Sequence, residues 1–188
     1  MPSFIHYRKT ARVLQAGGVI IYLTEGVYGL GCAPDDAEAV MHILNIKGRK
    51  MDAGLILVSP TVQLLQPWIA PDKAELKRLG SKHGYPVTWI VNAAPDTPEW
   101  LTGGRNTLAV RISDHPVVSG ICQAADMPLV STSANRSGRP PARTRLAARK
   151  ILGKYVDEVV PGSLGNAAGP SEIRVAQSDR VLRPQSST

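Results

Sequence analysis

Apolar residues along the chain fall into short blocks of two alternating periods. Val19-Ile-Ile-Tyr-Leu23 is unbroken and partly β-branched, which predicts a strand buried on both faces. Gly54 to Val58, Val87 to Val91, Leu108 to Ile112 and Pro128 to Val130 read as further strands, and Tyr155 to Val160 and Glu172 to Val175 close the series. Between them lie helical patterns. Phe4 to Ala16 spaces Ile5, Val13 and Leu14 loosely at helical intervals and stops at Gly17-Gly18. Asp35 or Asp36 caps a helix through Ile46, with Val40, Ile43 and Leu44 on one stripe. Pro71 to Leu79 opens on proline, His115-Pro116 begins a helix to Ala125, and Thr144 caps one through Leu152. Such alternation predicts an α/β, or α+β layered, domain: a mixed sheet with helices packed on it.

Length and composition narrow this picture. With 188 residues, 43% hydrophobic and 20% charged, one domain over 1–188 can bury its own core, and disorder or coiled coil is excluded. The expected core runs from about residue 8 to 184, followed by a polar tail from Gln185. Two cysteines make no disulfide scaffold, so Cys32 and Cys122 are expected as reduced thiols. No signal-like apolar segment or membrane-length run is present, so the expected location is the cytoplasm.

Charge is unevenly placed. The formal excess is +7, and no acid occurs between Asp126 and Asp157. Arg136, Arg139, Arg143, Arg145, Arg149, Lys150 and Lys154 fill that stretch. A concentration of this kind attracts phosphate, either of a nucleotide or of an RNA backbone, and is otherwise a solvated helix face.

P-loop, complete G-x-G-x-x-G, H-E-x-x-H, paired C-x-x-C and G-x-S-x-G patterns are all missing. Polar residues instead gather where strands end, the usual place for ligands in layered α/β sheets. Thr24 to Gly31 reads as a glycine-rich turn after the first strand. Lys47-Gly-Arg49 sets two cations at a helix end. In Thr107-Leu-Ala-Val-Arg111, alternation puts Thr107, Ala109 and Arg111 on one side, where Arg111 needs a ligand anion or a structural carboxylate such as Asp114. Ser131-Thr-Ser-Ala-Asn135 offers Ser131, Ser133 and Asn135 to phosphate or carboxylate, or else is a plain turn.

TEGVYGLG, IKGR, TLAVR followed by HP, LVSTSANRSGRPP and PSEIR closing on VLRP together resemble the YrdC/TsaC family of threonylcarbamoyl-AMP synthases, in order and approximate spacing. The resemblance implies a twisted mixed sheet with a concave basic cavity. It implies formation of threonylcarbamoyl-adenylate and pyrophosphate from L-threonine, bicarbonate or CO2, and ATP, with magnesium carried on ATP. A separate transferase complex then modifies adenosine 37 of tRNAs reading codons that begin with A. The family's K-x-R and S-x-N tetrad falls on Lys47, Arg49, Ser133 and Asn135. Further ATP and threonine contacts fall on Thr107, Arg111, Ser131 and Arg183, with the turn at Thr24 to Gly26 beside the threonine. Replacing Lys47 or Arg49 by alanine is expected to stop pyrophosphate release and leave the fold intact.

The sequence departs from the family at Gly26, where a threonine is usual, at Lys50, where proline is usual, and at Ala53 and Val58. Two competing readings remain. One is a module for double-stranded RNA or tRNA built on the Arg136 to Lys154 stretch. The other is a hydrolase using Cys32 or Ser133, for which no histidine base is identifiable.

Overall fold

The protein is described here by a computed structural model covering residues 2–167 and 169–185. In chain order its elements are α1 (Phe4–Gln15), β1 (Ile20–Leu23), β2 (Tyr28–Gly31), α2 (Ala37–Lys47), β3 (Ile56–Ser59), α3 (Lys73–Leu79), β4 (Val87–Asn92), α4 (Glu99–Thr102), β5 (Thr107–Ile112), α5 (Pro116–Ala125), β6 (Leu129–Ser133), α6 (Arg145–Leu152), β7 (Glu158–Val159), β8 (Glu172–Val175) and β9 (Val181–Arg183). The nine strands form one mixed sheet in the order β7-β1-β2-β6-β3-β5-β4-β8-β9. Pairs β1/β7, β3/β5 and β4/β8 are parallel and the rest antiparallel.

Local chemistry sets the helix ends. Asp36 accepts from the Ala39 amide at 2.9 Å, and Gly48 ends α2 in the left-handed region at φ 60°. Thr144 accepts from the Ala147 amide at 3.1 Å and starts α6. At α3, proline does not open the first turn: Asp72 caps it and Glu75 returns a bond to the cap amide, so Pro71 precedes the helix.

Strand alternation gives the sheet two different faces. Leu57, Val91, Leu108 and Val110 are fully buried on one, each worth about 1.5–3 kcal/mol against exposure. Helices α1 and α5 pack on each other, α1 also on β1 and α5 on β1 and β3, with α5 contributing Val117, Val118, Ile121 and Cys122. The other face, carrying Ile56, Ile90, Thr107, Ala109 and Arg111, lines a cavity.

The sequence pattern overlooks β2, β9 and α4. Thr24 to Gly31 is not one glycine-rich turn: Thr24 to Val27 makes the turn, and Tyr28–Gly31 returns antiparallel to β1. Strand β6 also runs further than Val130, through Ser133. Among the described residues no helix is long and apolar enough to cross a membrane. Ser186, Ser187 and Thr188 of the expected polar tail lie outside the described residues.

Candidate active site

The cavity, about 570 Å³ and of a size suited to a nucleotide, spans the sheet from β2 to β9. Its floor follows the pairing register. Ser131 lies opposite Ile56, Ile56 opposite Ala109, and Ala109 opposite Ile90, so small and apolar side chains from β6, β3, β5 and β4 form one row. Polar groups rise around that row. Thr24, Arg49, Thr107, Arg111, Ser131, Ser133 and Arg183 of the sequence-derived set all line it. Arg105 lines it too, a residue that sequence reading passes over because Gly103-Gly-Arg-Asn106 carries only a loop signal. Among the described residues the wall contains no acidic side chain and no histidine.

Lys47 and Asn135 stand behind this wall rather than in it. The Lys47 ammonium, at the end of α2, donates to the Ser133 carbonyl at 2.6 Å, the Asn135 carbonyl at 3.0 Å and Asn135 Oδ1 at 2.9 Å, which occupies its three protons. The Ser133 hydroxyl donates to the same Oδ1 at 2.6 Å, and Asn135 Nδ2 donates to the Arg139 carbonyl. Three members of the tetrad, Lys47, Ser133 and Asn135, are therefore one connected cluster that fixes the end of β6 and presents Ser133 to the cavity, while Arg49 lines the cavity separately and donates to the Ala53 carbonyl. Burial, reinforced by nearby Arg49, draws the Lys47 amine down to about 8.

Hydroxyl directions follow from neighbours. Tyr22, wholly buried, donates to Ser131 Oγ at 2.6 Å, so the Ser131 proton is free to point elsewhere. The Tyr22 ring reaches Ser131 across β2, and this explains the glycines there: a Cβ on Gly29 or Gly31 would sit 3.0 or 2.8 Å from the ring. Those glycines make room for the ring, and Gly29 also lines the cavity. Thr24 Oγ1 donates to the Val27 carbonyl at 2.8 Å and keeps only acceptor capacity for a ligand.

The carboxylate beside Arg111 is Glu25, at 3.6 Å, and not Asp114. Burial alone raises the Glu25 carboxyl, but Arg111 and the Ser113 hydroxyl outweigh it and hold it below the usual carboxylate range. Arg111 Nε is left buried without a hydrogen-bond partner. Arg183, on β9, donates to the Ser171 carbonyl at 2.6 Å. Burial lowers it, as do Arg111 and Arg49 nearby, so the cavity concentrates positive charge that an anion would relieve.

Gly26 does not line the cavity. A Cβ there would meet the Gly169 carbonyl at 2.4 Å and that of Ala167 at 2.9 Å, because the chain at Gly165 and Ala167 is held on the turn by Gly165 N–H to Thr24 O and Ala167 N–H to Glu25 O. The threonine that the family resemblance implies at this position would have no room beside that backbone contact. Lys50 precedes a short 3-10 turn, Met51–Ala53, and Ala53 lines the cavity.

The basic stretch divides into two surfaces outside the cavity. Arg136, Arg139 and Arg143 border an apolar groove over Pro140, Pro141, Ala142 and Ile151. Arg136 lies 5.7 Å over the Tyr155 ring. Arg145 and Arg149 face a second depression with His6, Lys9 and Glu158, while Lys150 is exposed on α6. Cys32 and Cys122 are buried free thiols, and burial raises both, Cys122 to about 12, which removes them as nucleophiles.

A sequence profile named for Sua5, YciO and YrdC and described as "Telomere recombination" matches residues 12–184. A protein of Nitrosococcus oceani called threonylcarbamoyl-AMP synthase is 45% identical over 177 residues, covering 94% of this chain and 96% of its own. A protein of the same name from Xanthomonas euvesicatoria is 46% identical over 187 residues, covering 97% of this chain and 100% of its own. Among solved structures, P. abyssi Sua5 carrying the H234A/Y235A changes superposes with TM-score 0.89 at 26% identity over 98% of this chain, which spans only 58% of that longer one. P. abyssi Sua5 complexed with L-threonine (TM-score 0.90, 24% identity, 98% of this chain and 55% of that one) and E. coli YciO (0.82, 22%, 98% and 91%) share the fold.

Proposed function

The chain belongs to the Sua5/YciO/YrdC family, and we infer that the basic cavity is where it makes threonylcarbamoyl-AMP and pyrophosphate from L-threonine, bicarbonate and ATP. It is an enzyme of the nucleotidyltransferase type, in keeping with its relatives called threonylcarbamoyl-AMP synthase. The observation that carries the assignment of the site is the set of four guanidiniums, from Arg49, Arg105, Arg111 and Arg183, which together with the hydroxyls of Thr24, Thr107, Ser131 and Ser133 line a cavity whose described lining includes no acid.

The reaction suits such a wall. Threonine and bicarbonate lose water to give a carbamate, whose oxygen attacks the α-phosphorus while the bond to the β-phosphate oxygen breaks and pyrophosphate leaves. Both partners are anions, so the chain's work is to hold them together and to neutralise the charge that develops. Arg49 and Arg183 meet phosphate oxygens, and Ser131 and Ser133 add neutral donors. Arg111 takes the amino-acid carboxylate next to Thr24. Lys47 and Asn135 act through the end of β6 that they fix. Guanidinium and hydroxyl groups make poor metal ligands, so magnesium comes bound to the phosphates of ATP.

The product then passes to a tRNA threonylcarbamoyl transferase complex acting at adenosine 37. The Arg136 to Lys154 surfaces, free of acids in sequence, suit an RNA backbone beside this activity, and their mark would be affinity that falls steeply with salt. The deciding assay incubates the protein with ATP, magnesium, bicarbonate and each amino acid in turn. Pyrophosphate release selective for threonine is expected; release indifferent to the amino acid, or none, overturns the reading.

A further inference from the structure

Arg105 differs from the other three arginines of the cavity. Arg111 has Glu25 beside it, Arg183 is tied to the Ser171 carbonyl and Arg49 donates to the Ala53 carbonyl at 3.1 Å. Arg105, exposed at the mouth between α4 and β5, has neither a hydrogen bond nor an ion pair among the described residues. Its guanidinium nevertheless has a definite seat. One nitrogen lies over Gly54 and Gly103, where a Cβ on either would stand 2.8 or 2.9 Å from it. Those two glycines, both at positive φ, leave the space in which the guanidinium rests.

The cations also follow an order. Arg49 is perturbed by burial and then by Arg105, while Arg183 is perturbed by burial and then by Arg111 and Arg49. Geometry sets Arg105 beside Arg49: its guanidinium lies over Gly54, next in the chain to Ala53, whose carbonyl accepts from Arg49. Two guanidiniums held near each other, with no carboxylate on the wall between them, favour an anion that bridges both.

We propose that Arg105 binds the outer end of the triphosphate, the two phosphates that leave as pyrophosphate, and that Arg49 and Arg105 together grip this leaving group. The proposal rests on the functional reading above. An exposed arginine with no protein partner holds pyrophosphate through charge-assisted bonds and gives it up to water without breaking any contact inside the fold.

Isothermal titration with inorganic pyrophosphate and, separately, with AMP, both in the presence of magnesium, tests this on the wild type, Arg105→Ala and Arg105→Lys. Arg180→Ala, which removes an exposed arginine outside the cavity, controls for net charge. Arg105→Ala is expected to weaken pyrophosphate about tenfold and to leave AMP within about twofold, while the lysine variant recovers part of the loss, as one charged contact implies. Steady-state assays should show KM for ATP rising and KM for threonine unchanged. Unchanged pyrophosphate affinity in Arg105→Ala, equal weakening of AMP, or an equal effect of Arg180→Ala overturns the proposal. Wild-type protein that binds pyrophosphate through Arg105 but releases none in response to threonine overturns the functional reading instead, so the two failures are told apart.

Discussion

Replacing Lys47 by methionine keeps the length and apolar stem of the side chain and deletes only the ammonium. Three contacts disappear, at 2.6, 3.0 and 2.9 Å, and two carbonyls and an amide oxygen at the end of β6 lose a donor. Charge-assisted bonds are worth about 1.5–3 kcal/mol each, but the buried ammonium also carries a desolvation cost of several kcal/mol. The net loss of stability should be about 1–3 kcal/mol, a fall in melting temperature on the order of 5 °C for a chain of this length. Activity should fall further. A freed Ser133 and a missing cation resemble the loss of a preorganised donor, about 10²- to 10³-fold in kcat/KM. Thermal unfolding by circular dichroism and threonine-dependent pyrophosphate release measure the two effects. Arg49→Ala is the comparison, because Arg49 is half-exposed and tied only to the Ala53 carbonyl: its activity should collapse while its melting stays at the wild-type value. If Lys47→Met melts like wild type yet is inactive, Lys47 acts on substrate directly and the account of it as a brace for β6 is wrong. This revises the expectation from sequence that both residues are dispensable to the fold.

Other consequences can be measured in parallel. With Lys47 drawn down to about 8 from 10.5, its charged form is lost as pH rises through about 8. Turnover should therefore decline through that pH, whereas Lys47's contribution to stability should rise between about pH 8 and 10.5, where the unfolded chain binds the extra proton; pH profiles of activity and of urea unfolding that move in the same direction would contradict it. Tyr22→Phe removes the 2.6 Å bond to Ser131 inside the core and should cost about 1 kcal/mol, with a raised KM for ATP as the Ser131 proton loses its direction; an unchanged melting curve and KM would show that the bond has no net effect. Gly26→Thr, which installs the residue usual in the family, forces a side chain into the carbonyls of Ala167 and Gly169 and should destabilise by about 1–3 kcal/mol. A variant as stable as wild type would mean that the backbone at Ala167 and Gly169 yields freely.

Much of this was legible in the chain because buried strands announce themselves. Val19 to Leu23 and Leu108 to Ile112 are apolar enough to be found by pattern, and the alternation of Thr107, Ala109 and Arg111 onto the cavity follows from the pleat alone. What escaped depends on partners distant in sequence. Strand β2 carries glycines at 29 and 31, poor strand formers whose reason is the Tyr22 ring lying across them, and that is visible only once β1, β2 and β6 are in register. Strand β9 is three exposed residues held by β8, below any periodicity. Local spacing pointed from Arg111 to Asp114, whereas the turn after β1 brings Glu25 there from the other end of the chain. Arg105 escaped because a guanidinium seated on glycines leaves no mark in composition.

The row Ser131, Ile56, Ala109 and Ile90 exists only when β6, β3, β5 and β4 are paired in one register. A slip of one residue in any of them would turn its side chains to the opposite face. Half-assembled chains therefore have no floor on which to bind anything, and during refolding the recovery of turnover should keep pace with the slowest zippering between distant strands, which makes enzymatic activity itself a clock for completion of the sheet.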